Sequence, residues 1–353
     1  MSKNAKAVVA AAAVLMLGLT ACSSGAQAAN PGSSGTQQAG KKIVIGWSQR
    51  GISGSDWWKT LVEGGQSEAA KAGATIQLLD ANGDTVRQNS DVQTLISKGV
   101  DVVIMNPNDP IGVGASVAAL KAAGIPLVVV NSNLDPSLVP DAFCYVAEDQ
   151  HATGALSGAD TAKKAIKKFG ESGTIKLVAI GGFPGDVISE LRYSGFLSGW
   201  DSVMKNYPNA KTVKLDMKYG SWKPDQALAP MRDVATGNPD LNVVFSESDV
   251  MQGGIEQGLK QAGMWDKVIE GSYDGGMNSV KEMVDNPTGP LQNTASNQPW
   301  DQGATAVKMA LAAVNGDKSA CSGGTNYIKT TLVTPDNAST YYKASDTYVR
   351  AAS

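Results

Sequence analysis

The sequence predicts two α/β domains, each a mostly parallel sheet with helices on both faces. Three observations carry this. From Lys41 onward, short β-branched runs alternate with longer amphipathic ones. The alternation starts a second time near Ile175, giving more strands than one sheet needs. Roughly 300 residues would also strain a single hydrophobic core.

In the first half, the strand candidates are Ile43–Ser48, Thr75–Leu79, Val102–Met105 and Leu127–Val130, followed by a crossing strand near Tyr145–Ala147. Between them, Trp58, Leu61, Val62 and Ala69 share one helical face, as do Val92, Leu95 and Ile96. In the second half, Ile175–Ile180, Thr212–Leu215, Val243–Ser246, Val268–Gly271 and Leu291–Ala295 alternate with helices near 186–205, 225–236, 250–262 and 277–285. Strands end in turn residues, as in Asp80-Ala81-Asn82-Gly83-Asp84 and Asn106-Pro107-Asn108-Asp109. Ligands of such folds bind at the carboxyl ends of the strands, so the residues just after each strand are the ones to read.

The amino-terminal segment sets the compartment. Lys3 and Lys6 precede an apolar run from Ala7 to Leu19, too short for a bilayer span but suited to a signal peptide over residues 1–21. Leu19-Thr20-Ala21-Cys22 resembles a bacterial lipobox, which makes Cys22 the expected lipidation site and membrane anchor. Residues 22–40 are Gly-, Ser-, Ala- and Gln-rich and read as a flexible tether. Removing residues 1–21 takes away two lysines and no acid, leaving 28 basic against 33 acidic side chains and a formal charge of −5. That balance, without basic clusters, argues against nucleic acid as a partner. Cys144 and Cys321 are a disulfide candidate in an oxidising compartment, with two buried free thiols as the other reading.

Catalytic signatures are missing. The chain has no Gly-x-Ser-x-Gly elbow, no Gly-x-x-x-x-Gly-Lys phosphate loop and no Gly-x-Gly-x-x-Gly fingerprint. His151 is the sole histidine and reads as a solvated residue where a helix begins. Asp80-x-Asn82-x-Asp84 departs from a calcium loop, because Gly83 comes one place early and the terminal Glu is absent. It reads as a turn and helix cap. No enzyme activity, cofactor or metal is expected.

Several motifs together carry a resemblance: Lys42-Ile43-Val44-Ile45-Gly46, the Trp57-Trp58 pair, Asn106-Pro107-Asn108-Asp109 and Gly124-Ile125-Pro126-Leu127-Val128. Further on come Glu190-Leu191-Arg192-Tyr193-Ser194-Gly195-Phe196, Val244-Phe245-Ser246-Glu247-Ser248-Asp249 and Gly271-Ser272-Tyr273-Asp274-Gly275. In order and spacing, from Lys41 to Thr334, the chain resembles periplasmic sugar-binding proteins of the ribose-binding type. The resemblance implies a type I periplasmic binding protein fold of two Rossmann-like domains joined by a three-segment hinge. It implies a first lobe of 41–146 plus 298–321 and a second of 147–297 plus 322–353. Cys144 and Cys321 would then both fall near domain crossings.

The same resemblance implies the ligand site. The family's aromatic pair corresponds to Trp57 and Trp58, and its Asp-Arg pair after the fourth strand to Asn131 and Ser132. Its sugar-binding arginine corresponds to Glu190 and its aromatic lid to Trp222. An Asn becomes Ser248, an Asp is kept as Asp274, and the hinge Gln becomes Asn297. Tryptophan faces stack on C–H-rich sugar surfaces, and Asp and Asn bond adjacent hydroxyls. Trp300 could serve the site or the core, whereas Trp47, Trp200 and Trp265 look structural.

The expected function is capture of a small sugar or polyol for an ABC transporter permease, by a monomeric, extracytoplasmic, lipid-anchored protein. With the family arginine replaced by Glu190, a cationic or amino-bearing solute is the alternative ligand. A sensor partner of a membrane receptor would read the same way.

Overall fold

The structure is a computed structural model and describes residues 42–351. The expected signal peptide (residues 1–21), Cys22 and the tether lie outside the described residues. The first lobe runs through β1 (Val44–Gln49), α1 (Asp56–Lys71), β2 (Thr75–Asp80), α2 (Thr85–Ser97), β3 (Val102–Met105), α3 (Gly114–Ala123), β4 (Leu127–Val130) and β5 (Cys144–Ala147). Strands β3 and β4 are buried at every position. A parallel strand covered on both faces must be apolar throughout, which is why these runs are unbroken Val, Ile, Leu and Met.

The chain then crosses into the second lobe. Its elements are α4 (Gln150–Phe169), β6 (Gly173–Gly181), α5 (Val187–Met204), β7 (Ala210–Lys214), β8 (Lys218–Tyr219), α6 (Pro224–Gly237), β9 (Leu241–Ser246), α7 (Gln252–Gln261), β10 (Ile269–Asp274), α8 (Met277–Asp285) and β11 (Leu291–Ser296). Helix starts follow the capping chemistry of the sequence. Ser55, Asp84, Asp149 and Asp186 each accept a backbone N–H of the first turn of α1, α2, α4 and α5. Asp84 as a cap confirms the turn-and-cap reading of the Asp80 segment, and His151 is exposed in the first turn of α4.

A return crossing brings α9 (Pro299–Val314) and β12 (Thr325–Tyr327) into the first lobe, and a last one sends β13 (Thr331–Val333) and α10 (Ala338–Tyr341) to the second. The first sheet has the order β12-β5-β4-β3-β1-β2 and the second β13-β11-β10-β9-β6-β7, with β8 beside β6. All pairings are parallel except β11 with β13. Residues 322–328 were expected with the second lobe, and here the structure corrects the boundary. Thr325–Tyr327 pair with Tyr145–Ala147 at the free edge of the first sheet, where an unpaired β5 would otherwise expose its backbone.

Two apolar layers flank each sheet. Trp47 is buried in the layer under α1 and α9, Trp200 in the layer under α4 and α5, and Trp265 in the layer under α6 and α7. Close helix contact depends on small residues. A Cβ at Gly303 of α9 would lie 1.8 Å from the Leu61 carbonyl oxygen of α1, and one at Gly158 of α4 would lie 1.9 Å from that of Phe196 in α5. Cys144 and Cys321 form a disulfide with Cα atoms 5.9 Å apart across 177 residues. It fastens the end of the α9 segment to the start of β5 within the first lobe.

The three crossings are tied to one another. Gln302 Nε2 donates to Glu148 Oε2 (2.7 Å), Gln298 Nε2 to Thr331 Oγ1 (3.1 Å), and Ile328 N to the Ala147 carbonyl (2.8 Å). The carboxyl-terminal segment adds a fourth link. Tyr348 bridges Gly276, and Val349 N donates to the Gly275 carbonyl at 2.8 Å. Arg350 lies 3.7 Å over the Trp300 ring, and Ala351 N donates to Asp301 Oδ2 at 2.9 Å. This strap therefore runs from the turn after β10 to the first turn of α9, and it accounts for Trp300 as a packing residue.

Candidate ligand-binding site

Each sheet has one strand flanked on both sides by strands that come later in the chain, so that successive connections leave it in opposite directions. These are β1, between β2 and β3, and β6, between β7 and β9. Crevices open at the carboxyl ends of such strands. Here that places Arg50 and Asn106 at the end of the first sheet, and Gly182 and Glu247 at the end of the second. Backbone strain gathers in the same loops. Asn131 (φ 63°), Ser221 (φ 53°), Trp222 (φ 57°), Asp274 (φ 103°) and Gln298 (φ 48°) are non-glycine residues at positive φ. Such conformations cost about 1–3 kcal/mol each and cluster at binding sites.

One buried hydrogen-bonded network joins the lobes. Trp57 Nε1, from the first turn of α1, donates to Asn297 Oδ1 at 2.8 Å. Asn297 Nδ2 donates to Asp274 Oδ1 at 2.8 Å, the atom that also accepts from Arg192 Nη1 at 3.1 Å. Ser248 Oγ donates to Asp274 Oδ2. Arg192 is held further by Gln150 Oε1 (2.8 Å) and the Glu247 carbonyl (2.7 Å). Its guanidinium lies 4.0 Å over the Tyr273 ring and 5.5 Å from Trp222. Trp222 reaches this place because residue 182 is glycine, since a Cβ there would come within 1.9 Å of the indole.

A second cluster lines the first lobe. Arg50 Nη1 donates to Ser132 Oγ at 3.1 Å, and its guanidinium lies 5.2 Å from the Trp58 ring centroid. Asn131 Nδ2 sits 3.5 Å from the same Ser132 oxygen, and Tyr145 Oη donates to the Asn131 carbonyl at 2.7 Å. Asn106 is fully buried, yet neither of its amide atoms has a protein partner among the described residues. A buried polar group left this way is costly unless a ligand or water completes it.

The electrostatics follow from burial. Glu247 is pushed up to about 8 and Glu148 and Asp249 to about 7, each chiefly by desolvation. Burial also raises Asp274, against the pull of Arg192, Ser248 and Asn297. Desolvation works against the Arg192 charge, but Asp274 with Tyr273, Glu148 and Glu247 outweighs it and the group stays cationic. No set of acidic, histidine or cysteine side chains suits a metal among the described residues.

The structure thus brings Trp57, Trp222, Ser248, Asp274 and Asn297 into one network, and Trp58, Asn131 and Ser132 into the adjoining cluster. Glu190 departs from expectation. It is exposed on the first turn of α5, and no hydrogen bond or ion pair joins it to either cluster among the described residues. Residues two apart on a helix differ by ~200° in direction, so Glu190 faces out where Arg192 faces in. The site therefore has a buried arginine, from Arg192. Arg50 was also missed, although it follows a strand directly.

Comparison with known proteins bears on this geometry. A family model described as "periplasmic binding protein domain" matches residues 45–318. A xylitol-binding protein of Mycolicibacterium smegmatis is 32% identical over 283 residues, covering 77% of this chain and 72% of the relative. A ribose import binding protein of Bacillus subtilis is 28% identical over 301 residues, covering 85% and 90%. Among solved structures, an ABC transporter solute-binding protein of Mycobacterium smegmatis with bound glycerol is 30% identical. It superposes with a TM-score of 0.72 over 88% of this chain and 99% of the other. One from Actinobacillus succinogenes with bound D-allose reaches 0.74 at 24% identity, covering 85% and 100%, a likeness of fold.

Proposed function

This chain belongs to the periplasmic binding protein domain family, and from that premise we propose that it captures a small neutral sugar or polyol between its lobes and delivers it to the permease of an ABC transporter. It is a binding protein of transport, extracytoplasmic by family, and not an enzyme. The observation that carries the ligand class is the Trp57–Asn297–Asp274–Arg192 network with Trp58 and Trp222 beside it. Indole faces cover the apolar sides of a sugar, and side-chain amides, hydroxyls and a carboxylate meet its hydroxyl groups. Xylitol and ribose, named for the two relatives above, are polyhydroxylated solutes of this kind.

In this reading Trp57, Trp58 and Trp222 supply stacking surface, and Asn131, Ser132, Ser248, Asp274 and Asn297 bond hydroxyls. A solute touching both lobes favours their closed arrangement, which is the form the permease accepts. Cys22 carries the lipid that keeps a monomeric protein near its transporter. Buried Arg192, half-buried Arg50 and an outward-facing Glu190 weigh against the cationic solute.

Thermal-shift and tryptophan-fluorescence titration of the purified protein with xylitol, D-ribose and glycerol tests the reading. A ligand at 100 times its Kd adds about 2.7 kcal/mol to folded-state stability. A saturable rise in Tm is expected for at least one of these compounds, and Trp222→Ala should weaken its binding at least tenfold. No response to any neutral sugar or polyol at millimolar concentration would overturn it.

A further inference from the structure

Arg50 is a charged residue at the first lobe's strand ends whose side chain is only partly satisfied by protein partners among the described residues. It follows β1, the switch-point strand of the first sheet, and is half-buried. Its guanidinium lies over the Trp58 ring and Ser132 pins one end. Its Nε is buried and has no acceptor among the described residues. Arg50 also makes no ion pair among the described residues. The acidic group it senses is Asp186, the cap of α5 on the opposite lobe, whose attraction partly offsets a burial that lowers the Arg50 pKa. Arg192, by contrast, is paired with Asp274 and donates through Nε to Gln150 and through Nη1 to the Glu247 carbonyl.

We propose that Arg50 is the specificity-determining residue for ligand charge, donating from its unpinned N–H groups to oxygen atoms of a neutral polyhydroxylated ligand and rejecting cationic ones. The inference rests on the reading of the site as a sugar or polyol site. The chemistry is one-directional, because a guanidinium has five N–H donors and no acceptor. A hydroxyl or ring oxygen can complete it, whereas an ammonium group can neither accept its proton nor sit beside its charge. The Asp186 carboxylate opposes an anionic ligand from the other wall, where Asp274 is already paired with Arg192, so neutrality is the charge both walls accept. The Arg50 side chain, from the residue directly after β1, takes Ser132 Oγ as its anchor.

Calorimetric titration of the purified protein with xylitol and D-ribose, and with glucamine as a cationic polyol, tests this. Wild type, Arg50→Met and Arg50→Lys are compared, and ligand-free Tm is read for each to verify folding. A hydrogen bond to a charged group is worth ~1.5–3 kcal/mol, so Arg50→Met should lose about 10- to 100-fold in affinity for the neutral ligand. Arg50→Lys should retain part of that affinity, and glucamine should bind Arg50→Met more tightly than wild type. Equal affinity of wild type and Arg50→Met for the neutral ligand, or glucamine binding to wild type as well as xylitol does, overturns the role of Arg50 alone. Failure of wild type to bind either neutral ligand overturns the sugar-site reading, and the Arg50 role with it. If Arg50→Met does not fold, the Arg50→Lys and glucamine arms decide.

Discussion

The two lobes present equivalent strand ends with different contents. By sheet order, β1, β3, β4 and β5 correspond to β6, β9, β10 and β11. After β3 stands Asn106, and after β9 stands Glu247. Asn131 follows β4 and Asp274 ends β10, both at positive φ. The second lobe's wall is acidic: both Asp274 oxygens accept from protein donors, and Glu247 keeps one buried oxygen without a partner among the described residues. At the first lobe's strand ends, Asn106 and Arg50 keep buried polar atoms without partners among the described residues. One fold has thus been used in two ways. The second lobe holds a preformed platform and the first keeps hydrogen-bonding capacity for a ligand.

If that contrast is sound, breaking the Arg192–Asp274 pair of the second lobe costs stability, and removing the unpartnered polar groups at the first lobe's strand ends costs affinity. The largest effect should come from Arg192→Met, which strands Asp274 as a buried, unpaired carboxylate. Breaking such a pair typically costs ~3–5 kcal/mol, visible in denaturant melts of the ligand-free protein. Adding Asp274→Asn should recover much of the loss, and a neutral Arg192→Met alone would break the comparison.

Next comes the brace of the first lobe. Replacing Cys144 and Cys321 together by Ala, or reducing them, should lower stability by ~2–4 kcal/mol. Because the bond lies at the amino end of β5, away from the carboxyl ends of the strands, ligand affinity measured below the new Tm should stay within about twofold.

The pH response sharpens the contrast further. Desolvation pushes Glu247 and Glu270 up to about 8, and Glu148 and Asp249 to about 7, from free values of 4.5 and 3.8. The folded protein holds these protons where the unfolded chain has released them. Their stabilisation is therefore complete below the free values and is lost as pH rises through 7 and 8. Tm should be higher at pH 5 than at pH 8.5, and Glu270→Gln should flatten that slope. A Tm that rises across this interval would contradict the buried acidic platform.

The smallest effect is expected at Asn106→Ala. It removes unpartnered polar atoms, so ligand-free stability should change by no more than about 1 kcal/mol, while affinity for the bound sugar or polyol falls. A large loss of ligand-free stability would make Asn106 part of the scaffold.

The legibility of the sequence followed the same division. Buried parallel strands are continuous β-branched runs, so β3 and β4 were readable to the residue. The strands β12 and β13 are three residues long, and β12 carries polar residues on a sheet edge, so they left no pattern. Trp57, Asp274 and Asn297, which the structure joins in one hydrogen-bonded network, were singled out by resemblance. Motif spacing pointed to Glu190, but helix geometry turned that residue outward and Arg192 inward. The ties that hold the hinge, such as Gln302 to Glu148 across 154 residues, depend on topology and have no local signature.

The carboxyl-terminal strap has a practical consequence for anyone labelling this protein. Residues 348–351 are hydrogen-bonded to the turn directly after Asp274 at one end and to the start of α9 at the other. A bulky affinity handle or fluorescent fusion placed after Ser353 would pull on a segment that touches both moving bodies. As a biosensor attachment point, that end would report lobe motion and perturb it at once.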